Sequence, residues 1–429
     1  MKIRNILVAA LLALNLVCPL AGKAQNISMT PAQQATLNPV NLKNYGAFKK
    51  SVAPLIKEMG VKKIVGLGEG THGTAEFYKL RYYITRILIE EHGFNHVAFE
   101  NDVTAVWQFN RELASTKDLK ALMQKYLISL WQNEETRELF KWIKKYNALN
   151  KNKVSVDGID YPAQLPDVVM IKQLLAAANI TSFNIAVATI TKAASMQDDA
   201  WSGMNKKGFK TDWKVLGVLA KQGYISTDSL EKVIHVTKMD TVIKTDLLLA
   251  IVNLKQGFEP FYKPTPEGAR DSIMAYNTAK LIKTDNDKVV IWAHDAHLGK
   301  TGIYGNAVGG TGGFILKHFP GNYFALGTGT ALGTFGGTTD ARAVNNSIIA
   351  PYTLEKPIAG SWEELLSTAN VPNFYFNTLR LNPDKALRPL RFVGYGTKSG
   401  EKSYDTSNLT DLFDAFIFLK NTNAPTPLK

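Results

Sequence analysis

Cysteine occurs once in this chain of 429 residues, at Cys18. That position lies in a leader-like opening stretch, so a processed chain holds no thiol; disulfides, thiolate metal sites and a cysteine nucleophile are excluded. The nucleophile elbow Gly-x-Ser-x-Gly is missing as well, which argues against the common serine esterase route. Beyond the opening stretch no apolar run approaches the roughly 18 residues of a spanning helix. Lysines are scattered: Lys49-Lys50, Lys144-Lys145 and Lys206-Lys207 are short runs without interleaved aromatics, so a nucleic-acid groove is not expected. Histidine is scarce too, with seven residues, and no internal repeat is visible.

What is present begins with an export signal. Lys2 and Arg4 precede an apolar stretch from Ile6 to Val17, and Gly22-Lys23-Ala24 supplies small residues before Gln25. Cleavage after Ala24 is expected, giving a periplasmic or secreted protein without stable membrane insertion. Cys18 as a lipid acceptor is disfavoured by the bulk of Val17 before it. Removing the charges of Lys2, Arg4 and Lys23 from a net +13 leaves +10, read as solvated surface. Composition is ordinary for a globular protein, 45% hydrophobic and 20% charged.

Residues 61–100 read as strand, glycine turn, helix and strand. Lys63 to Leu67 is strand-like. Thr74 is a candidate N-cap, and Phe77, Leu80, Ile84, Ile87 and Leu88 recur at helical spacing up to Gly93. Residues 95–99 form a short buried strand, and a strand, helix, strand unit of this length implies parallel pairing. Helices follow at 103–113 and 133–147, with strands at 153–156, 288–293, 323–327, 373–379 and 415–419. Between Leu165 and Asp285 the pattern turns helical, at 168–178, 185–196, 213–219, 229–254 and 268–282. The expectation is an α/β fold: a mostly parallel β-sheet core flanked by helices, with a helical insertion or cap. Residues 25–164 and 286–429 supply the core and 165–285 the cap. The Gly-rich stretch Gly299 to Gly313 reads as a loop over the site, and the polar tail Asn421 to Lys429 as frayed.

In open parallel sheets, ligands bind outside the carboxyl ends of the strands. The chemically suspicious residues fall at such ends: Glu69 and His72 after one strand, Glu100 after the next, Asp157 after the third, His294 and His297 after a later one. Glycine at four of the eight positions 66–73 specifies a compact backbone around Glu69 and His72. Gly68-Glu69-Gly70-Thr71-His72-Gly73 matches dinucleotide spacing formally, but a glutamate inside that turn would face the pyrophosphate. His72 is therefore read as a general base whose tautomer Glu69 and Glu100 fix. Arg81 borders the apolar helix face, and a guanidinium there needs a carboxylate, Glu69 or Glu100. His294 and His297 can hold a substrate carbonyl, or join His72 and a glutamate around zinc or manganese. An exported haem- or ligand-binding protein using the histidines axially is the non-enzymatic alternative.

The stretch Gly66 to Glu100, Trp142, Asn147, Asp157-Gly158-Ile159-Asp160, Arg270-Asp271 with Met274 and Asn277, Trp292 to His297, and Phe413-Asp414-Ala415 resemble the erythromycin esterase family over most of the chain. The resemblance implies a metal-independent carboxylic ester hydrolase without a cofactor, on an α/β core with a helical part. In it the position of His72 activates water, assisted by those of Glu69, Glu100 and Arg81, while those of His294 and His297 contribute to the site. The implied partner is a small-molecule ester, in the named members the macrolactone of erythromycin-type antibiotics. One residue departs from the pattern: Asp295 stands where asparagine is common, adding negative charge beside two imidazoles and favouring metal binding.

Overall fold

In the computed structural model, residues 27–303 and 310–429 are described; the expected leader 1–24 with Cys18, and part of the glycine-rich stretch, lie outside them. The strands are β1 Asn38–Pro39, β2 Ile64–Leu67, β3 His96–Asp102, β4 Ser155–Asp160, β5 Val289–Trp292, β6 Tyr323–Gly337, β7 Ala350–Thr353, β8 Asn373–Asn377, β9 Arg388–Arg391, β10 Tyr404–Ser407 and β11 Ala415–Thr422. Nine of them form one sheet in the order β1-β8-β11-β6-β2-β5-β3-β4, with β7 added to β6; β9 and β10 make a separate pair. From β11 to β4 every pairing is parallel, whereas β8, β1 and β7 join antiparallel. The mostly parallel α/β expectation therefore holds. β2 and β5 are buried at every position, as strands covered by helices on both faces must be.

One apolar cluster packs the helix Ala75–His92 and the helix Glu134–Leu149 on the sheet; a second lies on the opposite face around Trp362, Phe413 and Phe416. Gly93 ends the helix Ala75–His92 in the left-handed conformation, φ 70. Thr74 occupies the N-cap position, but its hydroxyl turns back to donate to Thr71 O.

Between β4 and β5 run the helices Leu165–Ala177, Asn184–Gly203, Trp213–Val236, Thr241–Phe258 and Ala269–Leu281. The first four share an apolar cluster of their own, including Met170, Ile190, Leu247 and Phe258. The helix break falls at 237–240, not at 220–228 as periodicity suggests. Asp240 caps a new helix by accepting from Val242 N and Ile243 N. Among the described residues no helix is long and apolar enough to cross a membrane.

The carboxyl tail departs most from expectation, because it is tied down. Asn421 and Thr422 belong to β11, and Asn423 donates to Glu76 through its backbone and its side chain. Thr426 and Lys429 donate backbone N–H to Glu135 and Glu134. These acceptors sit in the first turns of the helices Ala75–His92 and Glu134–Leu149. The carboxylates that suit a helix N-terminus thus also fasten the chain end.

Candidate active site

The strand order β2-β5-β3-β4 brings four carboxyl ends side by side. The turn after β2 is forced into close quarters. A Cβ on Gly70 would lie 2.4 Å from Thr328 O, and Gly73 (φ +69) presses on Gly336 O. His72 N donates to Val393 O, and Val393 N donates to Gly70 O, so a segment from the far end of the chain braces the turn. The glycines serve backbone approach, which leaves Glu69 and His72 as its chemically active side chains.

His72 Nδ1 lies 2.6 Å from Glu69 Oε1, and Arg81 Nη2 donates to Glu69 Oε2 at 2.7 Å. Glu69 and Arg81 are fully buried. With Glu69 accepting from Nδ1–H, the lone pair of His72 sits on Nε2, and the side chain lines the cleft. Arg81 is enclosed by the rings of Tyr78, Trp131 and Trp292, at 4.9, 5.4 and 4.7 Å. It pairs with Glu69 and leaves Glu100 to other partners, so it fixes one of the two expected carboxylates.

Glu100 lies inside β3, which continues to Asp102 through a register irregularity between Phe99 and Asp102. Such irregularities re-aim side chains. Its carboxylate accepts from Arg270 Nη2 at 2.9 Å and from His294 N at 3.0 Å, and stands 3.3 Å from His297 Nε2. Burial alone would raise its pKa, but His297, Arg270 and His72 hold it well below the carboxylate range. His297 is the counterpart: burial favours its neutral form, yet Glu100 and Asp271, 2.7 Å from Nδ1, push its pKa to about 10. It is protonated at neutral pH. Arg270 also donates to Asp160, at 2.5 Å to Oδ2. Protein surrounds this guanidinium, but 44% of the side chain is open to the cleft, so water there tempers the field of its partners.

His294 is locked in place. Its Nε2 donates to Val393 O at 3.1 Å, its Nδ1 accepts from Ala296 N, and its ring centroid is 4.6 Å from that of His72. Burial, and then the proximity of His72, depress its pKa well below the ordinary value. It is a neutral imidazole with both nitrogens engaged by backbone, so it reaches a substrate carbonyl only by releasing Val393. His297 likewise has both nitrogens on carboxylates. Of the trio considered for zinc or manganese, one ring nitrogen is uncommitted, His72 Nε2. Among the described residues no three His, Cys, Asp or Glu side chains are grouped to hold an ion.

Asp157 and Asp295 are placed differently from expectation. β4 continues past Asp157, whose carboxylate bonds His96 Nδ1 and the Ser155 hydroxyl midway down the strand; Asp160 is the residue that reaches the cleft. Asp295 turns under the glycine turn, where Oδ2 accepts from Thr328 N and Oδ1 would meet a Cβ on Gly68 at 1.8 Å. Burial pushes its pKa well above the carboxylate range, favouring the uncharged acid. It therefore adds little charge beside the imidazoles.

The site opens into a cleft of about 1040 Å³ between the sheet edge and the helices of the insertion, at the upper end of the roughly 300–1,000 Å³ usual for small-molecule sites. Trp131, Leu165, Trp201, Phe261 and Tyr395 contribute to its lining. Sequence reasoning gave no role to Arg270, Asp160 or Asp271; Arg270-Asp271 and Asp160 had entered only as parts of a family-like pattern.

A mostly parallel sheet with buried carboxylates, imidazoles and guanidinium groups gathered at its carboxyl edge, beside a roomy cleft, defines an α/β protein with a polar site at the sheet edge. The chain belongs to the erythromycin esterase family, whose sequence pattern it matches over residues 89–422. Erythromycin esterase type II of Escherichia coli is 25% identical over 399 residues, covering 84% of this chain and 91% of that protein. Erythromycin esterase type I of the same organism is 24% identical over 270 residues, 56% and 63% of the two chains. The fold is similar to that of a Bacillus cereus protein, with TM-score 0.75, 18% identity, and coverage of 92% and 97% of the two chains. It is also similar to a variant of the erythromycin esterase EreC in its open conformation, with TM-score 0.66, 16% identity, and coverage of 94% and 99%. Family membership makes the protein a hydrolase of the esterase type.

Proposed function

We propose that the protein hydrolyses a carboxylic ester by direct attack of water, with His72 as the general base, and that macrolactones of the erythromycin type are the first substrates to try. The observation that carries this reading is the chain Arg81–Glu69–His72, which leaves Nε2 as the basic nitrogen of a side chain lining the cleft. A water between Nε2 and the ester carbon gives its proton to Nε2 as its oxygen bonds to carbon. The carbonyl oxygen becomes an oxyanion, and protonated His297 together with the open face of Arg270 supplies positive charge for it. Collapse of the intermediate breaks the carbon–alkoxy bond, and the proton on Nε2 passes to the departing oxygen. His294 braces the His72 ring. No step requires a metal or a serine nucleophile. The leader-like first residues support a periplasmic or secreted location.

The test is incubation with fourteen- and sixteen-membered macrolides and simple aryl esters, followed by mass spectrometry for the addition of one water. His72→Asn is expected to lower turnover by about 10²–10⁴-fold with little loss of stability. Near-native hydrolysis by that variant sinks the assignment, and restoration of chelated activity by one added ion would favour a metal route.

A further inference from the structure

Arg342 is a cation in the cleft that the ester mechanism above does not use. It lies in the segment after β6, and its backbone is fixed from the insertion side: Asn205 Nδ2 donates to Arg342 O at 2.9 Å, and Arg342 N donates to Asn205 Oδ1 at 3.0 Å. From the core side, Tyr395 OH donates to Ala341 O. The guanidinium stacks 4.0 Å from the Trp201 ring centroid, and both side chains line the cleft. Trp201 belongs to the helix Asn184–Gly203, so the stacked pair spans the gap between core and cap.

The charge pattern gives this pair its meaning. Arg270 has two carboxylate partners, Glu100 and Asp160, and His297 has Glu100 and Asp271. Arg342 makes no ion pair among the described residues; Asp198 of the cap helix lines the same cleft without bonding to it. Burial and then the like charge of Arg270 disfavour its cationic form, and Asp160, Tyr395 and Asp198 offset this only in part. An anion arriving beside Arg342 would relieve that cost. Stacking on an indole leaves the guanidinium edge free, and that edge presents paired donors matched to a planar carboxylate.

We infer that Arg342, stacked on Trp201, is a substrate-recognition residue that takes a carboxylate carried by the ester, where the insertion meets the core along the cleft. The inference rests on the ester-hydrolysis reading but not on its macrolactone candidates: it narrows the substrate class to esters that carry a carboxylate, which erythromycin-type macrolides, bearing a basic amine, do not.

Two esters of equal chain length isolate the effect: 4-nitrophenyl valerate, which is neutral, and 4-nitrophenyl hydrogen glutarate, which ends in a carboxylate. With the wild-type protein the charged ester is expected to show a KM lower by about tenfold or more, with kcat nearly the same. Arg342→Ala should bring the KM ratio to about one. Arg342→Lys should keep an intermediate ratio, because a point charge attracts the carboxylate without the fork. Absence of a preference in the wild type, or a ratio that survives Arg342→Ala, overturns the inference. If neither ester is hydrolysed, the catalytic reading fails separately. Calorimetry with the 4-nitroanilide of glutaric acid, a stable amide of the same shape, then decides on Arg342: weaker binding by Arg342→Ala supports it, and equal binding or none by the wild type refutes it.

Discussion

Replacing Glu69 by Gln probes the buried chain Arg81–Glu69–His72 from its middle. Both carboxylate oxygens accept from donors, His72 Nδ1 at 2.6 Å and Arg81 Nη2 at 2.7 Å. A carboxamide of the same shape must turn its NH2 toward one of them. The variant also leaves Arg81, with no exposed surface, as a cation without a counter-charge. Breaking a buried pair from one side costs about 3–5 kcal/mol. Loss of the acceptor on Nδ1 frees His72 to adopt the tautomer with its proton on Nε2, so kcat should fall by about 10²–10⁴-fold. The two effects separate when Arg81→Met is added. Tyr78, Trp131 and Trp292 surround that side chain, and a thioether suits an aromatic box. The double variant should recover most of the lost stability in urea unfolding while kcat on an aryl ester stays low. A double variant no more stable than Glu69→Gln refutes the assignment of the loss to Arg81. Near-native kcat in Glu69→Gln refutes the role of the dyad.

Two further outcomes follow from the same geometry. His297, with its folded pKa raised from 6.5 to about 10, contributes stability that is fully present below about pH 6.5 and is lost as pH rises toward 10. The difference in urea midpoint between wild type and His297→Gln should therefore shrink steadily between those limits, and parallel pH curves for the two would contradict it. Deleting residues 423–429 removes the four bonds to Glu76, Glu134 and Glu135 described above and should destabilise by about 2–6 kcal/mol, at roughly 0.5–1.5 per net bond; an unchanged melting temperature would mean that the tail is not held in solution.

Legibility in the sequence follows the range of the interaction. The helix Ala75–His92 was readable because its apolar spacing and the stop at Gly93 are local. The glycine turn was readable because a run of glycines around Glu69 and His72 has few structural meanings. Arg270 was hard to read because it opens a helix that resembles any surface helix, and its partners Glu100 and Asp160 lie more than a hundred residues earlier. Asp295 misled because its neighbours in sequence are imidazoles, whereas its neighbours in space are Gly68 and the backbone of β6. The tail misled because polar, proline-containing ends are usually free, and only the first-turn glutamates of two distant helices tie it down.

By itself the sequence determined which acid–base residues follow β2 and β5, since strand runs, helix spacing and turn residues act over a few positions, whereas it set the ends of β3 and β4 too early, at Glu100 and Asp157. It also determined what chemistry is unavailable, for want of a thiol in the described chain and of a serine elbow. Tertiary structure alone decided that β5 inserts between β2 and β3, which sets His294 beside His72 and His297 beside Glu100. Strand order is chosen by packing across the whole sheet and leaves no local trace. The same long-range packing assigns each ring nitrogen its partner, and so decides which imidazole remains a base, which carries charge and which is held as a brace.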